Sequence, residues 1–359
     1  MFRSDVVDTA GADAGEVVRV VDTSSRPLGT AHYSTTSQIA LRMLSPNSYA
    51  ERIAAAAEFR QLVVRDSTAF RLVHAEADLL PALIIDRYGD CFSVQALSQG
   101  MDRALPEIVA ALVEQFHPQG ILARNDAAVR TQESLPREIR LLHGDVPDSI
   151  ELKINGLTFH ADLRHGQKTG IFLDQRENYP AAARYATERA LDCFTSTGGF
   201  ALHLAKICEH VEAVDSSATA LATAERNRSS NSLANVEFRE ADIFDLLSGY
   251  ASARKRFDCI VLDPPAFAKS RQHIEGAMRG YRDINLRALR LLGPGGVLVT
   301  CSCSHHVSEA ALLEVVAQAA LDARRTLRVL ERRTQAQDHP ILLTIPETHY
   351  LKCLILQVL

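Results

Sequence analysis

The C-terminal part of the chain alternates short apolar segments with amphipathic ones, and this alternation constrains the fold more than any other feature. After Glu151, strands are predicted at ERALDCF, HVEAVD, NVEFREAD, FDCIVLD and GGVLVTC, and helices at ALHLAKIC, ATALATAERNRSSN and YRDINLRALRLL. Strands that alternate with helices form a parallel sheet covered on both faces. Two last strands, TLRVLERR and YLKCLILQVL, are predicted to close the sheet. The fold class is therefore α/β, with a Rossmann-like domain over residues 151–359.

Two smaller domains are predicted before this one. Residues 1–46 contain EVVRVVD and TAHYS on either side of the turn SSRPLG, the pattern of a β-hairpin in a β-rich module. Residues 47–150 form a mixed α+β domain, with a helix at YAERIAAAAEF, strands within FRLVHAEADLLPALIIDRYGDCFSVQAL and a helix near Leu105–Phe116. The segment PREIRLLHGDVPDS is predicted to be a connector.

Composition excludes several classes of protein. Hydrophobic residues make up 47% and charged residues 23%, as in soluble globular proteins. The sequence has no secretory signal and no apolar run of about 18 residues, so we expect a cytoplasmic protein without membrane association. Seven cysteines do not suggest a disulfide framework. The net charge of −5 disfavours phosphate contacts, but basic clusters at Arg254–Arg256 and Arg324–Arg333 indicate either RNA contact or a solvated helix face.

Glycine and aspartate follow three successive predicted strands. Gly198 and Gly199 follow the first, where missing side chains let a nucleotide approach the backbone, and Asp215 and Asp242 end the next two. Each could equally be a turn or cap residue, but the set favours nucleotide binding. The turn is not G-x-G-x-x-G, which argues against a dehydrogenase. The polar segment 167–176 either covers the cofactor or starts a capped helix.

The fourth predicted strand ends in Asp263-Pro264-Pro265, with Phe267 two residues further on. Consecutive prolines hold the turn rigid and present the Asp263 carboxylate at the edge of the cleft. A carboxylate can bind the polar edge of a flipped base, and an aromatic ring can stack on that base. The alternative is an ordinary turn at the end of a strand.

Two cysteines and two histidines end the fifth predicted strand. C5 of cytosine accepts a methyl group only after a thiolate adds to C6, and Cys303 or Cys301 could supply that thiolate, helped by His305 and His306. Buried cysteines are usually inert, which is the structural alternative. A Cys-x-Cys-x-His-His metal site lacks a second ligand cluster, so no metal is predicted.

Taken together, these segments resemble a known family. HGQKTGIFLDQREN, TGGFAL, VLDPPAFAKS, TCSCSHH, DHP and YLKC are similar to motifs of the bacterial large-subunit rRNA cytosine-5 methyltransferases that carry an N-terminal PUA domain. RLVHAEADLLPALIIDRYGD and ARNDAAVRTQESLP are similar to the central domain of that family. The resemblance implies a class I methyltransferase that uses S-adenosylmethionine (SAM) and acts on RNA, with 23S rRNA as the substrate. A homodimer is compatible with the sequence.

The resemblance also implies site residues. The cofactor would contact Phe172, Asp174, Arg176, Thr197, Gly198, Asp215, Ser216, Asp242, Ile243 and Asp263, and the substrate would contact Lys168, Pro264, Pro265 and Phe267. Cys303 occupies the position of the Thr-Cys-Ser cysteine in related enzymes and would act with Asp263, with Cys301 as the alternative nucleophile.

The chain departs from the family pattern in three places. It begins midway into the PUA domain and lacks a Gly-His-Pro-Trp stretch, so we expect a truncated module. Leu79 and Ala82 stand where glycines are expected, and Thr195-Ser196 replaces Cys-Tyr.

Two other functions stay open at this point. A related enzyme with the same Asp-Pro-Pro motif would methylate a guanine nitrogen and would need no cysteine. An RNA-binding scaffold with a vestigial SAM pocket would need no chemistry at all.

Overall fold

Contacts divide the chain into two units in the computed structural model, which describes residues 1–166, 170–267 and 273–359. The first unit contains Met1–Gly156, Ala161–Leu173 and Gln337–Thr348, and the second contains Leu157–His160, Asp174–Ala336 and His349–Leu359. The chain therefore returns to the first unit twice.

The N-terminal residues of the first unit form a three-stranded sheet. Its strands in spatial order are β1 (Val17–Val21), β2 (Pro27–Tyr33) and β3 (Leu41–Met43). The predicted hairpin is confirmed, because β1 pairs antiparallel with β2. Asp22 stabilises the turn by accepting hydrogen bonds from the backbone N–H groups of Ser24 and Arg26.

A five-stranded sheet and two helices form the rest of the first unit's main body. The strands in spatial order are β4 (Ala69–His74), β5 (Leu83–Tyr88), β6 (Cys91–Ala96), β7 (Gly120–Asn125) and β8 (Glu138–Gly144), and the helices are α1 (Tyr49–Val63) and α2 (Gln99–Phe116). Ile53 of α1 and Ile108 of α2 join Phe92 of β6 in one apolar core. Helix α2 begins six residues before the predicted start, where Ser98 caps it.

The prediction of a connector over residues 136–149 is wrong, because Glu138–Gly144 form β8. This strand pairs antiparallel with β7 at one edge of the sheet. All of its side chains are exposed or half-buried. An edge strand with so little burial lacks the apolar alternation that reveals a strand in a sequence.

The second unit is built on a seven-stranded sheet. Its strands are β11 (Arg189–Cys193), β12 (His210–Asp215), β13 (Val236–Glu240), β14 (Phe257–Leu262), β15 (Leu292–Ser302), β16 (Leu327–Arg333) and β17 (Lys352–Val358). The helices are α3 (Asn178–Ala183), α4 (Gly199–Leu204), α5 (Ala218–Ser230), α6 (Ile243–Ser252), α7 (Ile274–Leu291) and α8 (Glu309–Asp322). Two short strands precede them, β9 (Ile150–Ile154) and β10 (Leu157–Ala161).

The spatial order of this sheet is β13-β12-β11-β14-β15-β17-β16. The first five strands are parallel, and β17 runs antiparallel to both of its neighbours. The predicted Rossmann-like fold is confirmed, including the two closing strands. The strand order reverses between β11 and β14, and ligands of such sheets bind beyond the carboxyl ends of the strands at this point.

Helices α6 and α8 were not predicted from the sequence, although an N-cap residue precedes each of them. The Asp242 carboxylate accepts hydrogen bonds from the N–H groups of Phe244 and Asp245, and Ser308 caps α8 in the same way. Among the described residues, no helix is both long enough and apolar enough to cross a membrane.

Candidate active site

The residues that follow the five parallel strands lie at one edge of the sheet. Gly198 follows β11, Asp215 ends β12, Asp242 follows β13, Asp263 follows β14 and Cys303 follows β15. Because parallel strands end on the same side, the fold brings together the residues that the sequence picked out separately. The site is therefore an edge lined by carboxylates, with one thiol.

Three residues in the turn between β11 and α4 adopt positive φ angles. Phe194, Ser196 and Gly198 have φ of 66°, 50° and 89°. Left-handed conformations are costly for residues other than glycine and cluster at functional sites. Asp215 holds the turn, because its Oδ2 accepts a hydrogen bond from the N–H of Ser196 at 2.9 Å. Half-buried Thr197 is fixed through its carbonyl, which accepts from Asn227 Nδ2 at 2.9 Å.

Gly199 does not leave an open gap for a ligand, so that interpretation needs correcting. A Cβ atom at Gly199 would lie 2.4 Å from Cζ of Tyr179. The ring of Tyr179, on α3, is buried and fills the space beside the glycine. Gly199 is therefore needed for packing between α3 and α4, whereas Gly198 is needed for its positive φ.

The acids after β12 and β13 both serve the local backbone. Asp215 is half-buried, and its Oδ1 accepts from the N–H of Ser217 at 2.9 Å. Asp242 is exposed and caps α6, as described above. Their neighbours differ, since Ser216 is exposed whereas Ile243 is buried. The cap interpretation is thus correct for Asp242, and its proposed contact with an adenine amino group stays a prediction.

Asp192 is an acid of this site that the sequence interpretation missed. It lies on β11 with no exposed surface, and its Oδ2 accepts from Thr195 Oγ1 at 2.6 Å and from the N–H of Ala201 at 2.9 Å. Its Oδ1 is buried and has no hydrogen-bond partner within the described ranges. Burial, reinforced by the Asp263 and Asp215 carboxylates, raises the pKa of Asp192 to about 7. The only signal in the sequence is an acid inside an apolar strand.

The carboxylate of Asp263 is oriented by the side chain of Gln175, which belongs to the same unit. Gln175 Nε2 donates to Asp263 Oδ1 at 3.0 Å, and Gln175 Oε1 in turn accepts from Asn178 Nδ2 at 2.6 Å. The amide of Gln175 is therefore fixed by bonds at both ends. Of the two prolines that follow, Pro264 is buried and Pro265 is exposed.

Phe267 is engaged within the protein. The ring is half-buried and its centroid lies 4.8 Å from that of Tyr281 on α7. A Cβ atom at Gly280 would lie 3.3 Å from the ring of Phe267, so glycine at this position lets the ring approach α7. Stacking of Phe267 on a base stays a prediction.

The two candidate nucleophiles have different surroundings. Cys301 is fully buried, and β15–β17 pairing places it opposite Cys353. Burial, hydrogen bonding to Cys353 and the nearby charge of Asp263 raise the pKa of Cys301 well above its usual range. Cys303 lies just past the end of β15 and is half-buried. Cys301 is thus a thiol at neutral pH, whereas Cys303 borders the site.

Two further residues near Cys303 were not predicted. The hydroxyl of Tyr281 lies 3.2 Å from Ser304 Oγ. Burial raises the pKa of Tyr281, and the charges of Cys303 and Asp263 add to this effect. Lys352, at the start of β17, donates from Nζ to the carbonyls of Ser304 at 2.8 Å and Tyr350 at 2.7 Å. No local pattern reveals them, because strand order and helix packing bring them here.

The histidines were expected to favour the thiolate, and a positive charge on His305 would be one way to do so. Burial, followed by the charges of Lys352 and His306, lowers the pKa of His305 below 6.5. The imidazole of His305 is therefore neutral at pH 7 and brings no positive charge to the cysteine. In the described parts of the chain, no group of three or more His, Cys, Asp or Glu residues is arranged to hold a metal ion.

The site residues predicted between positions 167 and 176 do not all lie in the same unit of the structure. Lys168 lies outside the described residues. Phe172 is half-buried and belongs to the first unit, whereas Asp174 and Arg176 are buried in the second. Asp174 Oδ2 accepts a hydrogen bond from the hydroxyl of Tyr350 at 2.8 Å. The cofactor contacts of Phe172, Asp174 and Arg176 stay predictions, as does the substrate contact of Lys168.

Each basic cluster contains a residue that pairs within the protein. Lys255 forms an ion pair with the buried carboxylate of Glu212. Arg333 donates to Asn178 Oδ1 at 2.8 Å and pairs with Glu331 at 2.6 Å. Arg333 also ends strand β16, so the second cluster is not a helix face. Contact of either cluster with RNA stays a prediction.

The fold defines a class of protein: Rossmann-like proteins, whose nucleotide ligands bind beyond the carboxyl ends of the strands. A family model described as S-adenosylmethionine-dependent methyltransferase matches residues 130–355, and a PUA-like domain model matches residues 1–46. The chain belongs to the family of the curated proteins named ribosomal RNA large subunit methyltransferase I. The Shewanella amazonensis protein is 42% identical over all of this chain and 94% of its own length. The Tolumonas auensis protein is 40% identical over 97% of this chain and 91% of its own.

A solved structure is similar over most of its length. A candidate methyltransferase complexed with SAH superposes with a TM-score of 0.83 at 21% identity, over 96% of this chain and 92% of the other. At that identity the likeness shows the fold. Because the chain belongs to a family of SAM-dependent methyltransferases, its cofactor is SAM.

The residues at the sheet edge fit that cofactor. Gly198, which the positive φ favours, puts no side chain into the turn after β11, and Asp192 Oδ1 is a buried acceptor with no described partner. Asp215 places a carboxylate on the neighbouring strand, where ribose hydroxyls are bound in such folds. When bound, SAM supplies an electrophilic methyl group.

Proposed function

We propose that the chain methylates C5 of a cytosine in large-subunit rRNA, with Cys303 as the nucleophile. The printed names of the relatives support the substrate class, since both act on large-subunit ribosomal RNA by name. The observation that carries the chemistry is the contrast between half-buried Cys303 and buried Cys301, whose thiol keeps its proton.

The reaction follows from the reactivity of cytosine. The thiolate of Cys303 adds to C6, which makes C5 nucleophilic enough to attack the methyl carbon and displace SAH. A base then takes the proton from C5, and the thiolate leaves as the ring regains its double bond. Asp263, whose Oδ1 accepts a hydrogen bond from Gln175, would bind the polar edge of the base.

We assign parts of the chain to these tasks by the predicted domains. Residues 151–359 would carry the chemistry, and residues 1–46 and 47–150 would contribute RNA contacts. An enzyme of ribosomal RNA works where ribosomes are made, so a cytoplasmic location follows from the proposed substrate.

Tritium release from RNA labelled at C5 of cytidine tests this function. Cys303→Ala is expected to reduce release by at least about 10³-fold, because the thiolate adduct is required before the methyl group can be transferred. Cys301→Ala is the matched control and should retain release within a few-fold. Release at the wild-type rate by Cys303→Ala would show that the nucleophile is wrongly assigned.

Mass spectrometry of nucleosides separates the alternatives. Methylguanosine in place of 5-methylcytidine, with Cys303→Ala still active, would replace this proposal by guanine methylation. Binding of RNA without binding of SAM in calorimetry would instead indicate a scaffold.

A further inference from the structure

Lys352 places an ammonium group inside the second unit, beside Cys303. It begins β17, and the pairing of β15 with β17 sets it opposite Ser302, next to the proposed nucleophile. The residue is only 3% exposed. Lysine is almost never this buried unless its charge is compensated, so its surroundings need an explanation.

The hydrogen bonds of Lys352 leave its charge uncompensated. Both acceptors, the carbonyls of Ser304 and Tyr350, are neutral. Lys352 forms no ion pair with any carboxylate in the described ranges. An ammonium group has three N–H donors, of which these carbonyls take two. The electrostatic partner that acts on Lys352 is Cys303.

Three other described groups near Cys303 carry no positive charge at neutral pH. Tyr281, from α7, is a neutral phenol whose pKa burial raises above 10. Asp263, after β14, is an acid and would oppose formation of a thiolate. His305 is neutral at pH 7, because burial lowers its pKa below 6.5. Lys352 is thus the one cation among the groups named here.

We propose that Lys352 is a positioning residue that holds Cys303 as a thiolate, an assignment that rests on the proposed function. A neighbouring ammonium favours the thiolate over the thiol and lowers the pKa of the cysteine. The thiol proton passes to solvent, and the ammonium keeps its own proton. Burial lowers the pKa of Lys352 to about 8, so the group is still mostly charged at pH 7.

The geometry also fits the return of the thiolate. In the adduct the sulfur is a neutral thioether, and the carbon–sulfur bond breaks when the thiolate leaves. A fixed ammonium stabilises that leaving group, as it stabilised the attacking one, without moving. Lys352 would therefore affect the turnover rate more than the affinity for RNA.

Alkylation of Cys303 by iodoacetamide, followed by peptide mass spectrometry from pH 5.5 to pH 10, tests the inference on the full-length protein. We expect Lys352→Gln to raise the midpoint by about one pH unit or more, which slows alkylation at pH 7 by about 10-fold. Lys352→Arg should keep the midpoint near the wild-type value, because it keeps the charge. Lys352→Met provides a second neutral variant if glutamine disturbs the fold.

Lys255→Gln is the matched control, since it removes another partly buried ammonium of the same unit, at Glu212. It should leave the Cys303 midpoint unchanged. A midpoint that is equal in wild type and in a folded neutral variant at position 352 would overturn the inference.

Alkylation needs neither RNA nor methyl donor, so its outcome is independent of the proposed function. If the midpoint shifts but Cys303→Ala still methylates RNA, the Lys352–Cys303 interaction stands and the nucleophile assignment fails. If both assignments hold, Lys352→Gln lowers kcat, moves the acidic limb of its pH profile upward and leaves KM for RNA within a few-fold.

Discussion

At the scale of residues, Asp192 is a buried acid at the edge of the sheet. Asp192 has no exposed surface, and one of its oxygens lacks a described partner. Burying a carboxylate without full hydrogen bonding disfavours its charged form, which explains a pKa near 7. The fold therefore tolerates the cost of a buried acid at the carboxyl edge of the sheet.

This cost predicts a pH dependence of stability. The pKa of Asp192 is raised from 3.8 to about 7 on folding, so between these values the unfolded chain has released a proton that the folded chain keeps. The contribution of Asp192 to the free energy of unfolding therefore falls as pH rises through that window. Relative to wild type, Asp192→Asn should gain a few kcal/mol from pH 4.5 to pH 7.5 in urea unfolding. A constant difference across that range would contradict the prediction.

Two residues of the first unit adopt the left-handed backbone conformation that glycine favours. Leu79 and Ala82, where the resemblance led us to expect glycines, have φ of 58° and 65°. Left-handed backbone is the conformation that glycine adopts freely. The family pattern thus indicated the backbone conformation correctly, even though this chain carries other residues there.

At the scale of elements, the turn from β11 into α4 is fixed by packing of α3. The ring of Tyr179 occupies the space that a side chain at Gly199 would need. Its centroid lies 4.9 Å from that of Phe200, in an edge-to-face arrangement. The position of the turn after β11 therefore depends on a helix that precedes the strand.

Gly199→Ala is expected to lower the free energy of unfolding by about 1–3 kcal/mol and to weaken SAM binding, because the methyl group would displace the Tyr179 ring. Gly249→Ala is the matched control. Gly249 lies within α6, and a methyl group added there would meet only open space, so alanine should raise stability by about 0.5–1 kcal/mol. Thermal unfolding and calorimetry with SAM measure both effects, and equal behaviour of the two variants would refute the packing role.

At the scale of the whole molecule, residues between β16 and β17 belong to the first unit. Asp338 is fully buried there, and its Oδ2 accepts a hydrogen bond from the N–H of Arg71 on β4 at 2.9 Å. Its carbonyl accepts from Arg60 of α1 at 2.8 Å. The DHP segment, which the sequence offered only as a family feature, therefore ties residues 337–348 to the five-stranded sheet and α1.

Asp338→Ala should lower the free energy of unfolding by about 1–3 kcal/mol, because it leaves the N–H of Arg71 without its acceptor. Hydrogen exchange should rise over residues 337–348. Asp322→Ala is the control, since it breaks a pair with Arg282 whose side chains are 35% and 50% exposed, and should cost less than about 1 kcal/mol. Unchanged exchange in Asp338→Ala would show that this segment is held by other contacts.

The sequence by itself determined the α/β class, most strands of the large sheet and the acids and cysteines at their ends. These follow from hydrophobic periodicity and from residue types at strand ends, which are local properties of the chain. It missed β8, because an exposed edge strand carries no such periodicity.

The tertiary structure alone decided which of these residues meet. Strand order places Lys352, 49 positions from Cys303 in the sequence, at the start of the neighbouring strand β17. Burial distinguishes Cys301 from Cys303. Packing of Tyr179 against Gly199 likewise joins residues of different elements. Such contacts depend on the register of strands and the packing of helices, and no local pattern encodes either.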